Sequence, residues 1–163
     1  MKKPALYFFI YIVFCLLQFF LNQYLNVFGI SPNFILVLIV CIGLMKGSFD
    51  AQIIGFWFGF TWDVFSTDIF TTRAMLFTML GYFSGKLDKK FDADNIFFQC
   101  AIVLVTSLVY NLGIYLVSCI IMQNNVLWCS SNISVLKSIS KILATVAITP
   151  FVFYVLRRVL KGM

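Results

Sequence analysis

From Pro4 to Met45, and again from Asn95 to Leu136, the chain carries no Asp, Glu, Lys or Arg. One membrane crossing takes about 20 residues at about 1.5 Å each. Each stretch is therefore long enough for two crossings, or for one long helix and a loop. The whole chain has 163 residues, 62% of them hydrophobic and only 11% charged. A soluble core of that size cannot hide so much apolar surface, whereas lipid can. The expected fold is all-α and polytopic, a single integral membrane domain over 1–163. About six transmembrane helices are expected, at about 5–27, 32–45, 49–65, 70–87, 96–122 and 135–156.

The punctuation of the chain supports these limits. Met1-Lys2-Lys3 before an apolar run imitates a signal peptide, but no small-residue cleavage site follows, so the first helix is read as uncleaved. Gly29-Ile30-Ser31-Pro32 is a tight break; Pro32 suits the first turn of the next helix and Ser31 can cap it. Lys46-Gly47 ends that short helix, and Lys86 to Asp94 forms the strongly charged loop. With six crossings, one side holds Lys2, Lys3, Lys46, Lys86, Lys89, Lys90, Arg157, Arg158 and Lys161; the other holds Arg73, Lys137 and Lys141. This bias places both termini in the cytoplasm.

The net charge of +6 sits at helix ends, where it meets lipid headgroups, and no basic stripe with interleaved aromatics points to nucleic acid. Cys15, Cys41, Cys100 and Cys119 lie in apolar segments and Cys129 in a polar loop, with no CxxC spacing and no histidine anywhere in the chain. Nor is there a glutamate, a serine–base arrangement or a phosphate-cradling glycine loop. The expectation is a protein with no catalytic residues, no cofactor and no bound metal. Asn132-Ile133-Ser134 fits a glycosylation acceptor only in a eukaryotic secretory setting.

The sharpest pattern lies in the third segment. Gly47, Ala51, Gly55, Gly59 and Asp63 recur at every fourth position, so they share one helix face. Lipid provides no hydrophobic drive for helices to associate, so a smooth face of small residues serves close backbone contact. That contact is either with a neighbouring helix of this chain or with a helix of a partner. The fourth segment repeats the theme with Gly81 and Gly85 around Tyr82. Asp63 is the acid well inside an apolar segment, and Arg73 begins the return helix at a similar depth. Asp63 is read as pairing with Arg73 or capping a helix, with a solute or proton site or a partner contact as the alternatives; Asp68 is the other candidate partner of Arg73. In the fifth segment Thr106, Ser107, Tyr110, Asn111 and Gly113 lie near mid-membrane, where Asn111 needs a hydrogen bond, either between helices or to a polar cavity.

From Lys46 to Leu87 the chain resembles the bacterial rod shape-determining MreD family. The resemblance rests on Lys46-Gly47, Gly55, Gly59, Asp63-Val64, Arg73-Ala74, Leu76, Gly81-Tyr82 and Gly85. Thr149-Pro150, the apolar run to Leu156 and Arg157-Arg158 resemble that family's proline-containing last helix and basic tail. The family usually has a glycine just before the fourth helix; here Phe70-Thr71-Thr72 stands in that place. The resemblance implies a non-enzymatic inner-membrane scaffold of cell-wall elongation. It would bind a single-span MreC-type partner and work with actin-like MreB, RodA and a class B transpeptidase. It also implies a fold similar to the substrate-binding components of energy-coupling-factor transporters. The alternative is therefore a vitamin-like binding subunit of a transporter, against which the bulky Phe8, Phe9, Phe14, Phe19 and Phe20 of the first segment count.

Overall fold

The structure, a computed structural model, describes residues 32–65, 71–87, 95–121 and 135–161, together with 12, 13, 15, 16, 18 and 20. The isolated positions before residue 32 are helical. Five helices are described in full: α1 (Phe34–Lys46), α2 (Ser48–Phe65), α3 (Thr72–Leu87), α4 (Ile96–Ile121) and α5 (Val135–Lys161). They correspond to the second to sixth expected segments. The expected loop around Asp88 to Asp94, the alternative partner Asp68, and Trp128, Cys129 and Asn132 lie outside the described residues, as does most of the first segment.

In hydrocarbon a backbone must satisfy its own N–H and C=O groups, which is why apolar segments become helices. Two of these helices, α4 over Ile96–Val117 and α5 over Ser138–Arg158, are long and apolar enough to cross a membrane. The other three are shorter or less apolar, so six spans is a larger number than length and composition alone establish.

α1 departs most from the expected picture. Every residue from Phe34 to Leu44 is buried. A helix that is apolar on all sides belongs inside a bundle, and α2, α3, α4 and α5 all pack against this one. With 13 residues it is about 20 Å long, short of a hydrocarbon core of about 30 Å. Its cap is Asn33, whose side chain accepts from the Leu36 N–H at 3.1 Å. Pro32 therefore precedes the cap instead of opening the first turn, and Ser31 lies outside the described residues.

Gly47 stops α1. Its φ of 101° is open to glycine and strained for other residues, and its N–H donates to the Gly43 carbonyl at 3.2 Å. The Gly47 carbonyl in turn accepts from the Ala51 N–H at 3.4 Å, so one residue ends α1 and begins α2. α2 and α3 form the most extensive helix pair, and α4 packs on α5. α5 runs unbroken through Pro150, five residues past its expected end at 156. Neighbouring helices make such a proline tolerable within a membrane bundle.

Candidate functional site

The small-residue face of α2 is buried at Ala51, Gly55, Gly59 and Asp63. It lies against α3, whose buried residues include Ala74, Phe77, Gly81 and Gly85. A methyl group at Gly55 would stand 2.6 Å from the Phe77 carbonyl oxygen, and one at Gly81 would stand 2.7 Å from the Ala51 carbonyl oxygen. At Gly59 it would collide with the backbone of Ala74, and at Gly85 with the backbone of Ser48. Backbone thus meets backbone along the whole hairpin, with small residues of each helix receiving the main chain of the other. Such contact maximises dispersion attraction where the hydrophobic effect contributes nothing.

Three sequence-selected residues sit differently from expectation. Gly47 touches nothing within 4 Å of where a side chain would begin; it is a helix stop, because its backbone conformation breaks the helical register of the face. Tyr82 points outward at 43% exposure, with the Lys86 ammonium 5.9 Å from its ring centroid and Phe83 edge-on. It flanks Gly81, so it faces away from the contact that Gly81 makes. Asn111 is half-buried, and its amide donates to the Ser107 carbonyl of its own helix at 2.8 Å rather than bridging two helices. Gly43, by contrast, was not singled out, yet a methyl group there would collide with the Ser84 side chain and stand 3.0 Å from the Gly85 nitrogen. Its signal was present, since it extends the four-residue spacing one step before Gly47.

Asp63 and Arg73 close the turn end of the hairpin. The Asp63 side chain is fully buried; Oδ2 accepts from the Ala74 N–H at 3.1 Å, and Oδ1 lies 4.0 Å from Arg73 Nη1. Ala74 is in the first turn of α3, so the carboxylate caps a helix N-terminus from across the hairpin. The carboxylate thus faces both the N-terminal end of α3 and the guanidinium. Thr71, just before α3, takes φ 78°.

Sequence reasoning missed the polar cluster at the start of α1. The Gln18 side chain donates to the Pro32 carbonyl at 3.2 Å and accepts from the Phe34 N–H at 2.9 Å. Thr145 of α5 accepts from the Asn33 N–H at 3.0 Å. Gln18 was legible only as a polar residue near the far end of the first segment. Farther along, Phe77 of α3 stacks on Tyr110 of α4 at 5.0 Å. Among the described residues, the site's chemistry is that of close helix contact, satisfied helix ends and the Asp63–Arg73 ion pair.

Compared with known proteins, the chain matches the family model described as rod shape-determining protein MreD over residues 2–159. No curated protein and no solved structure matches it.

Proposed function

The chain belongs to the MreD family of rod shape-determining proteins, and from that premise we propose that it is a non-enzymatic membrane scaffold of cell-wall elongation. In this reading it binds a single-span MreC-type partner in the inner membrane and works beside MreB, RodA and a class B transpeptidase. It crosses the membrane six times with both termini cytoplasmic, in keeping with the uneven distribution of its basic residues.

The observation that carries the scaffold reading is the backbone-to-backbone hairpin of α2 and α3. Its inward face is occupied by the chain's own helices. Ala51, Gly55, Gly59, Gly81 and Gly85 then act in packing, and the partner meets the bundle from outside. A hairpin held this closely presents its outer side chains in a fixed arrangement, as a platform requires.

The test is co-purification. The tagged chain, co-expressed with an MreC-type protein and extracted in mild detergent, is expected to retain that partner. Gly55→Leu and Gly59→Leu drive a branched side chain into the facing backbone, at a cost of about 1–3 kcal/mol or more. Each is expected to lower both the yield of folded protein and the retained partner. A well-folded chain that never retains the partner would refute the scaffold reading; full retention by both leucine variants would refute the packing argument.

A further inference from the structure

The charged residues of the helices lie at two levels, and the packing shows which belong together. At one end, Gly59 meets the backbone of Arg73 and Ala74, and Asp63 faces Arg73. The start of α1 lies at the same end as the beginning of α5, because Asn33 bonds to Thr145, one turn after Lys141. At the other end, Gly85 meets the backbone of Gly47 and Ser48, which puts Lys86, Lys46 and Asp50 at about the same level.

The distance between the two levels is short. Arg73 and Lys86 are thirteen residues apart on α3, and Asp50 and Asp63 are thirteen apart on α2, about 20 Å in each case. Lys141 and Arg157 are sixteen residues apart on α5, about 24 Å. A hydrocarbon core is about 30 Å thick. Long basic side chains can stretch toward headgroups and recover part of such a deficit. Arg73 is held back from doing so, because its guanidinium lies against the buried Asp63. The outer faces between the levels are apolar: Phe56, Trp57 and Phe60 on α2, Met79 and Phe83 on α3, and Leu143 and Phe151 on α5 are exposed. Among the five helices described in full, α4 carries the longer uncharged face, and a long helix meets a thin layer by tilting.

We propose that this protein is matched to a hydrocarbon layer of about 20–24 Å, and that it gathers or induces a thin bilayer around itself. The occupant of its exposed apolar girdle is thus lipid with short acyl chains. This inference rests on insertion of the α2–α3 hairpin and not on partner binding, so the two fail separately.

Trp57, 57% exposed in the middle of α2, is a natural reporter. The full chain, with Trp62 and Trp128 replaced by phenylalanine, is reconstituted in phosphatidylcholine vesicles with chains of fourteen to twenty-two carbons. Quenching by brominated lipid of each length gives relative lipid affinity. Lipids of fourteen to sixteen carbons are expected to bind at least about threefold better than those of twenty. The unmodified chain provides an independent measurement: its thermal unfolding midpoint in the same vesicles is expected to peak at those short lengths. A peak at eighteen carbons or longer in either measurement overturns the proposal. So does the absence of quenching at every length, which would place another protein surface or water against Trp57.

Discussion

Thr71 holds a backbone conformation that a β-branched residue seldom adopts, since its Cβ crowds the neighbouring carbonyl. It occupies the stretch where the family usually carries a glycine. Relieving that strain gains about 1–2 kcal/mol, while the freer unfolded chain of a glycine variant gives back roughly half of it. Thr71→Gly is therefore expected to stabilise the protein by about 0.5–1 kcal/mol, read as a higher temperature for loss of the monodisperse peak in detergent. A lower temperature would mean that Thr71 makes a compensating contact. Asp63 poses the opposite case. Asp63→Ala removes the acceptor for the Ala74 N–H and the carboxylate beside Arg73, at a cost of about 3 kcal/mol or more. Asp63→Asn keeps the acceptor and loses only the charge, so the same heating assay should show a smaller drop; equal drops would assign the whole effect to the ion pair. Asp63 and its pairing with Arg73 were legible because a carboxylate inside an apolar segment requires a partner. The strain at Thr71 was not, because a φ angle is set by how two helices meet.

Among the elements, α1 shows how the largely buried end of a helix is satisfied by side chains of other segments. Its first N–H groups have no partner within the helix. Asn33 accepts from Leu36, Gln18 from Phe34, and Thr145 accepts the Asn33 N–H. Three segments of the chain thus converge on one helix terminus. Gln18→Leu leaves a buried N–H and a buried carbonyl without partners, a loss of about 2 kcal/mol or more. Asn33→Ala removes one cap bond, at about 1 kcal/mol. Thermal unfolding should rank the two variants in that order, and the reverse order would contradict this account of the cap. The hairpin was more legible than this cap. Its small residues repeat with the helical period, whereas Gln18 and Thr145 are 127 positions apart and follow no period.

At the scale of the whole molecule, a short and fully enclosed helix is surrounded by longer ones. α1 has no polar face, so nothing in its pattern distinguishes a helix bathed in lipid from one sealed in protein. The small-residue faces settle the matter from outside: Gly43 lets Ser84 and Gly85 approach, which draws α1 into the hairpin. The same packing aligns the charged residues at two levels, from which the thin-bilayer inference follows. Rod shape determination is the role of the family over nearly the whole chain. A bundle whose interior is filled by its own helices suits the scaffold role proposed above.

The amino-acid order alone determined the five helices described in full, the side of α2 meant for close contact and the acid that closes the turn. These are local properties: a charge-free run meets hydrocarbon only as a helix, and residues four apart share a face whatever surrounds them. Only the tertiary structure decided that α3 fills that face, that α1 is enclosed, that Gly47 is a stop and Tyr82 an outward ring, and that Gln18 and Thr145 seal a helix end. Each of these depends on segments distant along the chain coming together, and in a segment apolar on every side no residue marks which side will meet protein.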